Sequence, residues 1–153
     1  MVEPHPVPVL TPSRHRASVR VATWLSAVPG LGQLYNRQPK KALEFLDRLL
    51  RDGEEPLPML GAMTWMYRKL IEASEVKGVT NGWQAARALG MRPEQAELAL
   101  QNARKISKPR LLAGLHALRS ADDRLKGSGA EPRTVMEFLV AQLTGEEAKA
   151  ARG

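Results

Sequence analysis

Residues 46–70, which read LDRLLRDGEEPLPMLGAMTWMYRKL, contain the end of one helix and the beginning of the next. Asp52 and Gly53 follow a leucine-rich stripe, and a glycine just past the last helical residue commonly ends a helix. Pro56 then stands behind two glutamates, where its missing N–H removes no helical hydrogen bond and the acidic groups meet the positive end of the helix dipole. The stretch therefore predicts two helices, over 39–51 and 56–73, joined by a tight turn.

The apolar side chains of these two helices differ in pattern. The first helix has a single stripe, formed by Ala42, Phe45, Leu46, Leu49 and Leu50. The second has a broad face, formed by Leu57, Leu60, Met63, Tyr67, Leu70 and Ile71. Met59, Trp65 and Met66 fall outside that face, and methionine and aromatic side chains are enriched at protein interfaces. These three residues are the candidate interface, and internal core positions are the alternative for each of them.

The remainder of the chain also has the sequence pattern of helices joined by short breaks. Apolar spacing and breaks at glycine and proline predict four more helices, over 81–89, 93–105, 108–126 and 132–144. No strand-like alternation extends beyond a few residues, and no repeat of fixed period is present. We predict an all-α fold, an orthogonal bundle of five to six helices over 39–144 with a small charged tail at 145–153.

The amino-terminal segment, residues 1–38, has a different composition. The first 42 residues hold six basic side chains and one acidic side chain, Glu3, of a chain with formal net charge +7. Four prolines within the first 14 residues favour an extended course. We expect a disordered, basic, proline-rich segment with one short amphipathic helix over 17–28.

Part of the amino-terminal segment resembles sequences of membrane proteins. Residues 29–38, PGLGQLYNRQ, resemble the start of the first membrane helix in permeases and in small two-span membrane proteins. A span needs about 20 largely apolar residues, and no such window exists in this sequence. We therefore do not expect a membrane protein, although a peripheral one that uses the basic amino-terminal helix is an alternative function.

Catalytic and metal-binding patterns are absent from the sequence. It has no cysteine, so disulfides and thiolate metal sites are excluded, and a cytoplasmic location is the simplest expectation. His5, His15 and His116 are far apart and show no metal-ligand spacing. His116, Ser120, Asp122 and Asp123 supply the residue types of a catalytic triad, yet all four project from one predicted helix and cannot easily converge. We expect no catalytic residue, no cofactor, no metal and no small-molecule substrate.

Residues 79–102, VTNGWQAARALGMRPEQAELALQN, have the layout of a helix-turn-helix DNA reader. A recognition helix exposes basic or amide side chains near its start, whereas this second helix begins with Pro93, Glu94 and Glu97. Carboxylates at that end would repel phosphate. The pattern favours a packed helical hairpin, and a DNA-binding protein is kept as an alternative function.

Several short pieces, in order, carry a family resemblance. They are residues 49–56 (LLRDGEEP), 60–63 (LGAM), 68–70 (RKL), 85–86 (AA), 89–93 (LGMRP), 103–104 (AR), 121–122 (AD) and 125–127 (LKG). In this order and spacing they resemble the carboxy-terminal helical domain of the delta subunit of bacterial DNA polymerase III, over roughly residues 40–144. Within these pieces, we take as candidate family-motif residues Arg68, Gly90, Arg92, Arg104, Asp122 and Lys126.

The resemblance implies a function in DNA replication. In that family the domain belongs to a helical collar, which packs beside its counterparts in the other subunits of the clamp loader. It implies delta-prime and tau/gamma as partners, DNA contact through the complex, and an assembly function without catalysis.

The resemblance also has a limit. A full delta subunit carries amino-terminal domains that hold its clamp-binding element, whereas about 40 basic, proline-rich residues stand before the helical region here. We expect that this chain does not open a clamp, and that any polymerase activity belongs to the holoenzyme. A truncated paralogue, a fusion and a misassembled reading frame are all open interpretations.

Overall fold

The computed structural model of the chain describes residues 38–127 and 129–145. The predictions for the proline-rich segment, the amphipathic helix over 17–28 and most of the tail lie outside these described residues.

Six α-helices make up this part of the chain, and no β-strand occurs within it. In chain order they are α1 (Pro39–Arg51), α2 (Pro56–Glu75), α3 (Gly82–Leu89), α4 (Pro93–Lys105), α5 (Lys108–Gly127) and α6 (Pro132–Thr144). The all-α prediction is confirmed, and the predicted bounds differ from these by at most two residues.

Local sequence explains where the helices begin and end. Proline stands in the first turn of α1, α2, α4 and α6, where no N–H is needed for a helical hydrogen bond. Asn81 caps α3 by accepting a hydrogen bond from the Gln84 backbone N–H at 2.9 Å. Gly90 ends the same helix with φ +62°, a left-handed conformation that favours glycine.

Glu131 caps the start of α6 more extensively. Its carboxylate accepts hydrogen bonds from the backbone N–H of Arg133 at 3.0 Å and of Thr134 at 2.6 Å, and from the Thr134 hydroxyl at 2.7 Å. These bonds favour the charged form and hold the pKa of Glu131 below its ordinary value, with the Thr134 hydroxyl as the largest cause. The cap fixes the point at which α6 begins.

Helix α2 is the central element of the bundle. It packs on α5 along its length and also on α4, while α3 packs mainly on α4, α6 on α5, and α1 on α6. The core contains fully buried side chains from α2, α3, α5 and α6, among them Met59, Leu60, Leu70, Leu89, Leu111, Leu118, Met136 and Leu139. On α6, the buried apolar residues are Val135, Met136, Leu139, Val140 and Leu143.

The outermost helix, α1, is attached to α6 by polar as well as apolar contacts. Arg133 of α6 donates to Asp47 at 2.6 Å and to Glu137 at 2.8 Å, and Asp47 also pairs with Arg51 on its own helix. Ala42 and Leu46 provide the buried side of α1. Asp47 therefore joins the amino-terminal helix of the bundle to its carboxy-terminal helix.

Candidate protein interface

The inner face of α2 is rotated relative to the sequence prediction. Leu57, predicted to be internal, is 44% exposed, whereas Met59 and Met66 are 1% and 7% exposed. The reason is that α4 and α5 both pack on α2, so its buried face is wider and shifted towards the two methionines. This corrects the expectation that Met59 and Met66 offer surface to a partner, because both lie in the core.

Trp65 occupies the border between core and surface. It is partly buried and packs against the core cluster, and the Lys69 ammonium lies 5.9 Å from the centre of its ring. Lys69 also donates to Glu72 at 2.7 Å, which holds the ammonium near the indole. Of the three predicted interface residues, Trp65 is the one that keeps an accessible edge, on the same side of α2 as Leu57 and Gly61.

Helix α2 also makes a close contact with α5. The Tyr67 ring lies against Gly114, where a Cβ atom would come 2.2 Å from the ring Cε1. Tyr67 is 4% exposed, and this burial raises its pKa to about 12 against the opposing effect of Arg110. Since a Cβ atom at residue 114 would collide with this ring, Gly114 allows Tyr67 of α2 to pack closely against α5.

A second accessible surface was not predicted. Trp83, the second residue of α3, is 78% exposed, and a shallow groove beside it is lined by Asn81, Gln84, Ala86, Arg87 and Ala88. Ala85 and Leu89 are the buried residues of α3. A helical wheel places Trp83 about 200° from Ala85, on the opposite side, so the sequence did contain a signal for its exposure.

The family-motif residues do not form a single site. Gly90 ends α3 and Arg92 stands immediately before α4, while Arg68 and Arg104 are exposed on α2 and α4. Only Asp122 and Lys126 meet, in an ion pair of 2.6 Å along α5. Their dispersal is typical of residues that maintain a fold or contribute to several contacts.

The structure also bears on three other kinds of site: catalytic, metal-binding and helix-turn-helix. His116, Ser120 and Asp123 are exposed on α5, and no group of three potential metal ligands occurs in the described ranges. At the start of α4, Glu94 and Glu97 are both exposed, so the end that would meet DNA in a helix-turn-helix is acidic.

Of the four basic residues near the α4–α5 junction, two make contacts within the chain. Lys108 pairs with Glu75, and this hydrogen bond holds the pKa of the Glu75 carboxyl below its ordinary value. Arg110 reaches the Leu143 carbonyl at 3.5 Å, close to the carboxy-terminal end of α6. Arg104 and Lys105 are exposed beside them. Two of the four cations thus serve contacts within the chain rather than a separate basic surface.

No helix within the described ranges is both long enough and apolar enough to cross a membrane.

Comparison with known proteins gives a family and a fold. Residues 31–143 match the family model described as the DNA polymerase III delta subunit, C-terminal domain. The match begins eight residues before the predicted bundle, so it includes much of the segment 29–38, and the permease resemblance of that segment has no support. Among curated proteins, no sequence matches the chain.

Among solved structures, the fold is similar to the Bacillus subtilis DNA clamp loader delta protein (YqeN), with a TM-score of 0.69 and 21% sequence identity. The alignment covers 76% of this chain and 34% of that one, so the chain spans about a third of the length of the solved protein.

Proposed function

Because the chain belongs to the family of the DNA polymerase III delta subunit, C-terminal domain, we propose that it is a clamp-loader assembly module in DNA replication. The observation that carries the proposal is the family match, which extends over 31–143 and therefore over the whole helical bundle up to the last turn of α6. The bundle acts by packing its helices against those of other clamp-loader subunits, with residues 39–144 as a collar-like domain.

The surface of the bundle supports this function. Trp83 is 78% exposed on α3 and Trp65 keeps an accessible edge on α2, and tryptophan is enriched among the residues that contribute most to protein association. The described residues that have the types of a catalytic triad, His116, Ser120 and Asp123, are exposed and all lie on the single helix α5. We propose that the chain has no catalytic activity of its own and acts in the cytoplasm.

The partners that we propose are the delta-prime and tau/gamma subunits, with DNA contacted through the assembled complex. The test is a calorimetric titration of the purified chain into each partner subunit. Trp83→Ala should weaken binding roughly tenfold if its ring is buried in the interface. His116→Ala, which changes an exposed residue of α5, serves as the control and should leave the affinity unchanged.

For Trp65 the same titration separates two effects. Trp65 packs against the core and also has an accessible edge, so Trp65→Ala should weaken association and also lower the thermal stability. A loss of stability with unaltered affinity would assign Trp65 to the core alone. Absence of binding to every clamp-loader subunit, together with salt-sensitive retardation of duplex DNA, would instead favour the DNA-binding alternative.

A further inference from the structure

The sequence contains one Asn-Gly pair, formed by Asn81 and Gly82. The other asparagines, Asn36 and Asn102, precede an arginine and an alanine. An asparagine side chain loses ammonia most readily before glycine, because glycine has no side chain to hinder the attack of its own backbone nitrogen. Asn81 is exposed and Gly82 is partly exposed, so the reactive pair lies at the surface of the bundle.

Two separate requirements of the fold place these residues side by side. Asn81 caps α3, since its Oδ1 accepts the Gln84 backbone N–H at 2.9 Å. Gly82 leaves room for α4, because a Cβ atom there would lie 3.2 Å from the Pro93 carbonyl oxygen. The reactive pair is thus a consequence of how α3 begins and how it fits against α4.

The cap restrains the reaction of this pair. The attack requires the Asn81 side chain to turn so that its amide carbon faces the Gly82 nitrogen, and the hydrogen bond from Gln84 opposes that turn. Gln84 also links back to Thr80, because its Oε1 accepts the Thr80 N–H at 3.0 Å and the Thr80 hydroxyl at 3.2 Å. Reaction in the folded chain therefore requires the first turn of α3 to open.

Helix α3 is anchored lightly enough for such an opening. It has eight residues, of which Ala85 and Leu89 are buried, and it packs mainly on α4. A helix of this length is not stable alone in water, and the N–H groups of its first turn have no acceptor within the helix. Local opening of a short, exposed turn costs much less than unfolding of the whole domain.

We propose that the chain modifies itself at Asn81 by deamidation, at a rate set by the opening of the first turn of α3. The Gly82 nitrogen loses its proton and forms a bond to Cγ of Asn81. The bond from Cγ to Nδ2 then breaks, and Nδ2 leaves as ammonia with a proton, which leaves a five-membered succinimide. Water opens this ring at one of its two carbonyl carbons and gives either aspartate or isoaspartate.

The two products differ in their effect on α3. Aspartate keeps the normal backbone and is as good a cap as asparagine. In isoaspartate the peptide bond runs through Cγ, so the backbone gains a methylene group and the cap geometry is lost. The first turn of α3 carries Trp83, which is 78% exposed. On the assembly function proposed above, the isoaspartate form should therefore bind its partners less tightly.

The modification itself is tested on the full chain without any clamp-loader subunit. The folded chain is incubated at mildly alkaline pH, and peptide mapping by mass spectrometry follows the mass increase at each asparagine. Conversion at Asn81 should exceed that at Asn102, which precedes an alanine inside α4, by roughly tenfold or more. Asn81→Ser keeps a capping oxygen but has no amide, so it should show no mass increase at residue 81.

Unfolding tests the control exerted by the cap. In urea, where α3 is fully open, conversion at Asn81 should be roughly tenfold faster than in the folded chain. Hydrogen exchange then separates the products, after isoaspartate has been identified with isoaspartyl methyltransferase. The isoaspartate form should exchange the amides of residues 82–85 faster than the fresh chain, whereas Asn81→Asp, the matched control, should exchange them at the rate of the fresh chain.

Three results would overturn the proposal. The first is a folded chain without conversion at Asn81 over a period in which the chain in urea reacts fully. The second is an equal rate in the folded and unfolded chain, since the cap would then have no influence. The third is an isoaspartate form whose α3 exchanges like that of the fresh chain. A fresh chain that binds no clamp-loader subunit would refute the assembly function instead, and the modification stands apart from that result.

Discussion

Gly114→Ala tests the packing that orients α2 in the bundle. The added methyl group points at the Tyr67 ring, whose Cε1, Cζ and Cδ1 atoms would lie 2.2, 3.0 and 3.1 Å from the new Cβ. Ordinary van der Waals contact requires 3.4 Å or more. Because Tyr67 is 4% exposed, its ring cannot move into solvent, and α2 and α5 must separate locally or the ring must leave its preferred rotamer.

The expected loss in the free energy of unfolding of Gly114→Ala follows from two opposing effects. Overpacking a well-packed core costs about 1–3 kcal/mol, and a 2.2 Å approach to a buried ring belongs at the upper end of that range. Replacing glycine by alanine inside a helix stabilises the folded chain by about 1 kcal/mol. The net loss in the free energy of unfolding should be about 2 kcal/mol, which for a domain of this size lowers the Tm by roughly 10 °C.

Urea denaturation of both variants in parallel provides the measurement, and Gly61→Ala is the matched control. Residue 61 also lies inside a helix, but its Cβ would meet nothing, so this variant should gain about 0.4–1 kcal/mol. If Gly114→Ala proves as stable as the parent protein, the inferred contact between Tyr67 and α5 is wrong.

Three further predictions concern the core, a helix cap and the junction of α1 with α6. Leu139→Ala, at a fully buried position, should lower the free energy of unfolding by about 2–5 kcal/mol in urea denaturation, and a loss below that range would contradict its place in the core. Glu131 has a lowered pKa in the folded chain, so its contribution to stability is present above the ordinary glutamate pKa of about 4.3 and is lost as pH falls through the lower folded value. Glu131→Gln should therefore destabilise the chain at neutral pH and reduce the dependence of Tm on pH in the acidic range, and an unchanged profile would exclude this role. Asp47→Ala removes the ion pair with Arg133 and should cost less than about 1 kcal/mol, with an effect that shrinks at high salt in thermal unfolding, whereas a salt-independent loss would indicate packing instead.

The sequence predicted the helices well because their ends are marked by local chemistry. Proline at the start of α2, α4 and α6, and the left-handed Gly90 after α3, act through the backbone of one or two residues. Such signals do not depend on the rest of the fold. The single apolar stripe of α6 could likewise be assigned because its neighbours cover one side only.

The inner face of α2 could not be assigned in the same way, since this helix is apolar on more than one side. Its packing includes the fit of Tyr67 against Gly114, two residues that are 47 positions apart in the chain. Periodicity alone therefore placed Leu57 inside and Met59 outside, and the structure has the reverse. The exposure of Trp83, by contrast, follows from the pattern of α3, because Trp83 lies on the opposite side of the helix from the buried Ala85.

The most direct test of the central claim is native mass spectrometry of the chain mixed with purified delta-prime and tau/gamma subunits. A clamp-loader assembly module should appear as one copy of this chain in a defined complex with those subunits, and Trp83→Ala should reduce the abundance of that complex. Spectra that contain only the separate subunits and the free chain, under conditions where an intact delta subunit joins the complex, would contradict the account.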